Sequence, residues 1–137
     1  MSFSVDQSSQ QSGSQPRVLF VTDPLCSWCW GTLPEVLEAR EQLQGEVQFD
    51  LIMGGLQVGT QEGLLGYDVK RLNRLWQEVE ETTGQTFSKQ IPHGFVYHSE
   101  VSCRAVEIAR DLNDGNPPFE FFTRLQAAFY KDGLDIN

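Results

Sequence analysis

Positive charge is scarce in this sequence. Its 137 residues hold ten lysines and arginines against nineteen acidic residues, a formal net charge of -9, so a phosphate backbone or an anionic membrane surface meets net repulsion. Nucleic acid and membrane are therefore not expected partners. Long apolar runs are missing too: nothing approaches the roughly 18 residues of a spanning helix. The opening MSFSVDQSSQQSGSQPR lacks the basic start, apolar centre and small-residue cleavage site of a secretory leader, which points to the cytoplasm. Cysteine is sparse, with three in the chain. An odd count at that density builds no disulfide framework and suits a reducing compartment, where a close pair serves catalysis or metal binding.

What is present is enough for one ordinary soluble core, with 39% hydrophobic residues. Residues 1–16, rich in Ser and Gln, have little to bury and read as a flexible tail. From Arg17 the apolar run Val18-Leu19-Phe20-Val21 predicts a buried strand that stops at Asp23-Pro24. Leu33, Val36, Leu37 and Leu43 then recur at helical spacing up to Gly45, and Val47, Phe49 and Leu51 alternate into a second strand before Gly54-Gly55. Residues 17–56 thus read as strand, helix, strand, which implies a parallel, right-handed pairing. Residues 57–137 read as helical. One helix covers Asp68 to about Thr83, with Val69, Leu72, Leu75, Trp76 and Val79 on its stripe; a second runs from a Ser99 cap to Leu112, with Val101, Ala105, Ile108 and Leu112 aligned; a third runs from Pro118 to Tyr130. The aromatic residues at helical spacing read as core. No third strand is predicted after Met53. Two parallel strands leave both edges open, so the sequence reads as the first part of something longer, or as a sheet completed by strand exchange in a homo-oligomer.

The chemistry is concentrated in VTDPLCSWCWG, Val21 to Gly31. Cys26 and Cys29 are placed between a strand and a helix start, where free amides and the positive end of the helix dipole favour a thiolate at Cys26. A second thiol one turn further in can displace a substrate from a mixed disulfide. Cys26 is therefore the expected nucleophile and Cys29 the resolving thiol. Ser27, Pro24 and the flat apolar rings of Trp28 and Trp30 are the supporting residues, and Pro34 is expected to remove one hydrogen bond from the helix and kink it. Asp23 is expected to shape the turn before Pro24. Half of a zinc site, completed by Cys103, His93 or His98, is the competing reading, but no paired spacing is repeated. No metal is expected. Cys103, off the main stripe of its helix, is expected to be a buried, inert thiol.

These residues resemble a known family. DPLCSWCWG after a strand, Pro34 in the following helix, the second strand ending LIMGGL, and VYHSEVSCRAVEIAR followed by LQAAFY are similar to the cytoplasmic branch of the DsbA-like thioredoxin family, the FrnE-like predicted protein-disulfide isomerases. The resemblance implies an α/β thioredoxin-like fold with an inserted helical subdomain, no bound cofactor, and dithiol-disulfide exchange on protein or small-molecule disulfides and thiols. Two departures matter. No histidine stands between the cysteines, which implies a milder oxidant than the periplasmic members. The family's final strands and cis-proline loop are absent, since no proline follows Pro118. Two other classes share the fold: glutathione-binding kappa-class transferases and hydroxychromene carboxylate isomerases, which carry serine where Cys26 stands, and a non-enzymatic binding module using the apolar surface at Trp28 and Trp30.

Overall fold

The computed structural model describes residues 15–56, 59 and 62–137; up to position 14, the stretch read as a tail lies outside them. The elements run β1 (Arg17–Thr22), α1 (Ser27–Gln42), β2 (Gln48–Met53), α2 (Gly66–Thr83), α3 (Glu100–Leu112) and α4 (Phe119–Tyr130). β1 and β2 form a two-stranded parallel sheet in the register Arg17↔Gln48 to Thr22↔Met53. All four predicted helices are present. The core joins Leu25 of the turn after β1, Leu33 of α1 and Leu51 of β2 to an aromatic group of Trp76, Phe87, Phe95, Phe129 and Tyr130. Its rings meet mostly edge to face, as Trp76 does with Phe129 at 5.6 Å and 88°, the arrangement that ring quadrupoles favour.

α1 and α2 approach closely at Gly31, where a β-carbon would come within 2.5 Å of Val79. Only a residue without a side chain permits that approach. Pro34 lies inside α1 and has no amide hydrogen for the carbonyl four residues back. That carbonyl, of Trp30, accepts instead from the side-chain amide of Gln85 at 3.1 Å. The bond that proline removes is replaced from the connection after α2.

Two sequence expectations need correction. β1 is not buried: Val18, Leu19 and Val21 are exposed, because the sheet offers them neither a third strand nor a covering helix among the described residues. α3 does not bury Val101, Ile108 and Leu112, which are exposed; Ser102 and Val106 face the core. A stripe of small and polar residues lets α3 settle against its neighbours, and the larger apolar stripe is left outside.

The two strand edges differ. Backbone groups alternate sides along a strand, and the amides of Gln48 and Gly54 donate to Pro16 and Thr22 carbonyls, so Leu51 turns its amide and carbonyl to the outer edge of β2. Both are occupied. The Leu51 amide donates to Asp50 Oδ1 at 2.7 Å, and Arg110 of α3 donates to the Leu51 carbonyl and, at 2.7 Å, to Asp50 Oδ1. Partial burial works against ionisation of Asp50, yet Arg110 and the Leu51 amide hold its carboxyl below the usual range. This clamp blocks the edge of β2 against further pairing. Replacing Arg110 by Ala is expected to cost about 1–3 kcal/mol in urea unfolding. A folded pKa below the unfolded one stabilises above the unfolded value of ~3.9 and is lost as pH falls through the folded value. The advantage of the native protein over the variant should therefore hold at neutral pH and fade below about pH 4; equal unfolding midpoints at pH 7 would show that the clamp is not structural.

Candidate functional site

The site grows from the turn between β1 and α1. Asp23, 2% exposed, folds it: Oδ1 accepts the Leu25 amide at 2.8 Å and Oδ2 the Leu56 amide at 2.7 Å, while its carbonyl accepts the Cys26 amide at 3.1 Å. Asp23 thus shapes the turn, as expected, and also fixes the segment after β2. Pro24 is fully buried beneath the turn. Cys26 is the N-cap of α1, and its Sγ accepts the Cys29 amide at 3.2 Å. Sulfur here fills the place usually held by a serine or aspartate oxygen, and a thiolate satisfies the amide better than a thiol does.

The two half-buried thiols ionise as a unit. Cys29 is lowered to about 6, first by the hydrogen bond from the Cys26 thiol, against the effect of burial, and with help from Thr22 and the backbone at Asp23. Cys26 is raised, by the hydrogen bond with Cys29, by burial and by the Cys29 charge, while the Cys29 amide favours its anion. The pair releases one proton near neutral pH and keeps the second. Passing the kept proton between the sulfurs moves the negative charge onto Cys26, where the amide already points.

Side chains from distant parts of the chain hold this turn. Gln126 of α4 donates to the Asp23 carbonyl at 3.2 Å, the Tyr97 hydroxyl donates to the Leu25 carbonyl, and the Trp76 indole of α2 donates to Ser27 Oγ at 3.0 Å. Tyr97 and Tyr130 hydroxyls lie 3.2 Å apart. Burial pushes Tyr97 up to about 12, so it stays a neutral donor. Ser27 is itself buried at 5% exposure. The two tryptophans separate: Trp28, 40% exposed, lies beside the pair, whereas Trp30 is 6% exposed. Trp30 is therefore not the surface ring expected beside the pair. Two positions along a helix turn a side chain to the opposite face, so Trp30 stacks on Tyr130 at 6.1 Å and donates its indole hydrogen to the Thr86 carbonyl at 3.0 Å.

A cleft of about 690 Å³ opens beside Cys26, walled by Trp28, Leu56, Leu64, Leu72 and Tyr97 among others. A larger hollow of about 810 Å³ lies at the other end of the sheet, around Arg17 and Gln44, away from the thiols. Cys103 is half-buried, donates to Asp23 Oδ2 at 3.5 Å, and is pushed up to about 11 by burial and the Asp23 charge. His93 is exposed, and His98 faces Glu100 at 3.4 Å. The candidate zinc ligands do not converge on the pair: among the described residues no group of three or more His, Cys, Asp or Glu side chains is arranged to hold a metal.

Solved structures are similar in fold to this chain. A candidate protein disulfide isomerase from Nitrosomonas europaea is 31% identical with a TM-score of 0.78, over 90% of this chain and 59% of that one. The fold is of the DsbA-like thioredoxin type. The cytosolic disulfide reductase DsbM from Pseudomonas aeruginosa, solved with GSH, is 29% identical with a TM-score of 0.71 over 88% of this chain and 58% of its own. A second structure of DsbM is 28% identical with a TM-score of 0.72. The chain thus spans about three-fifths of the length of these relatives. No family model and no curated protein matches it. No helix among the described residues is long and apolar enough to cross a membrane.

Tyr97, Tyr130, Trp76, Gln85 and Gln126 were not singled out from the sequence as parts of a site. Their only advance signal is general: buried tyrosine and tryptophan need a partner for the polar tip. The ionisation scheme has a direct consequence. Labelling of the reduced Cys26–Cys29 pair by iodoacetamide is expected to rise through about pH 6 and level off near pH 7.5, while Cys103 labels appreciably only in alkali. Peptide mapping across a pH series tests this, and faster labelling of Cys103 at pH 7 would overturn it.

Proposed function

We propose that the chain performs dithiol-disulfide exchange in the cytoplasm, with Cys26 as nucleophile and Cys29 as resolving thiol. The observation that carries this reading is the Cys29 amide donating to Cys26 Sγ at 3.2 Å, at the N-cap of a helix beside an open cleft. A thiolate at Cys26 attacks a disulfide, and Cys29, one turn inward, displaces the bound thiol and closes the protein disulfide. The names of the similar proteins, a disulfide isomerase and a disulfide reductase, support the same reading. Glutathione and protein thiols are the proposed exchange partners, since DsbM was solved with GSH. The uncharged Ser27-Trp28 dipeptide supports the reducing or isomerising direction, because no cation between the cysteines stabilises the reduced form.

Replacing Cys29 by Ser removes the resolving step. Incubated with glutathione disulfide, this variant is expected to accumulate one reducible glutathione adduct on Cys26, whereas the unsubstituted chain proceeds to the Cys26–Cys29 disulfide. Mass spectrometry with peptide mapping distinguishes the two. An adduct confined to Cys103, or none, would sink the assignment.

A further inference from the structure

The cleft beside Cys26 carries three charged side chains on its walls, Glu62, Asp68 and Arg71. Asp68, Arg71, Leu72 and Leu75 lie three and four positions apart along α2 and so share its cleft-facing side. Asp68 Oδ2 accepts the Leu65 amide at 3.1 Å and caps that helix, so its charge is partly committed. Arg17, Arg104, Arg110 and Arg124 are each paired with a carboxylate. Arg71 has no such partner among the described residues and is the only cation on these walls. A guanidinium binds a carboxylate through two parallel hydrogen bonds. The acidic Glu62 and Asp68 repel a ligand that is purely anionic, but a ligand with an ammonium beside its carboxylate meets both signs favourably. A cleft of about 690 Å³ is within the size range of small-ligand sites.

We propose that Arg71 is a specificity-determining residue of the thiol site, holding the carboxylate of a small disulfide with a free amino-acid end while its sulfur meets Cys26. This rests on the exchange chemistry proposed above. The Cys26 thiolate bonds to one substrate sulfur and expels the other half as a thiolate. Cys29 then displaces the second half and closes the Cys26–Cys29 bond. Two electrons pass from the protein dithiol to the substrate, and the two dithiol protons end on the two thiols released. Arg71 takes no part in the bond changes; it orients one class of substrate over another.

The test uses the Cys29→Ser chain and reads the rate of adduct formation at Cys26 by mass spectrometry. Three disulfides are compared: glutathione disulfide with amino-acid ends, bis(2-hydroxyethyl) disulfide without charge, and cystamine with ammonium ends alone. Adding Arg71→Gln is expected to lower the ratio of the glutathione disulfide rate to the uncharged rate by about three- to tenfold. It should raise the cystamine ratio, and Arg71→Lys should restore part of the glutathione preference. Because Arg71 is exposed, the preference of the unaltered residue should also weaken as salt is added. Equal slowing with all three disulfides would show that Arg71 acts on the thiol pair or the fold, and an unchanged ratio would show that it binds no carboxylate; either result overturns the proposal. Failure of the Cys29→Ser chain to react even with the uncharged disulfide would instead remove the exchange chemistry beneath it.

Discussion

A backbone amide aimed at sulfur is useful only if the backbone cannot turn away. The Cys29 amide keeps its bearing on Cys26 because the turn before the helix is held at successive points: the Asp23 carbonyl by Gln126, the Leu25 carbonyl by Tyr97, the Ser27 hydroxyl by Trp76, and the Trp30 carbonyl by Gln85. None of these partners belongs to the strand-helix-strand unit. The helices and loops after β2 therefore do more than fill the core, since they set the polar geometry under the reactive turn. Preorganised donors need no rearrangement when charge develops on sulfur.

The same economy appears around Asp23. A buried carboxylate beside two thiols opposes their ionisation, and its charge does raise both cysteines of the pair. Its oxygens are nonetheless bound by the amides of Leu25 and Leu56 and by the Cys103 thiol. The electrostatic penalty is accepted for the shape it gives, and the hydrogen bond between the sulfurs offsets it at Cys29. Asp50 shows the complementary case. There a carboxylate and Arg110 close a strand edge, while Leu19 and Val21 of β1 remain exposed to whatever lies beside them.

How much of this could be read from residues alone depends on whether the signal was periodic. The strands, the helices and the position of the cysteine pair at a helix start follow from spacing and from local breakers such as Asp23-Pro24 and Gly45, and these agree with the structure. Spacing could not say which side of a helix meets the core. On α3 the larger apolar stripe points outward because packing against small residues governs its placement. Trp28 and Trp30 looked equivalent by composition, and only the location of Tyr130 separates them. Hydrogen bonds between residues far apart leave no periodic trace, so Gln85 as the substitute donor for Pro34 and Gln126 as the support of Asp23 were invisible until the chain was folded.

Those long ties also impose an order of events. Gln126 reaches back 103 positions to Asp23, and Tyr97 reaches back 72 to Leu25. Contacts so distant along the chain form only after large loops have closed. During synthesis the strand, helix and cysteine pair emerge first, but the turn that tunes them has no support until the polypeptide past residue 126 has left the ribosome and docked. Alignment at the thiols is thus a late product of folding: the groups that lower Cys29 all lie between Thr22 and Cys26, but the backbone that carries them is braced by residues up to 103 positions further along.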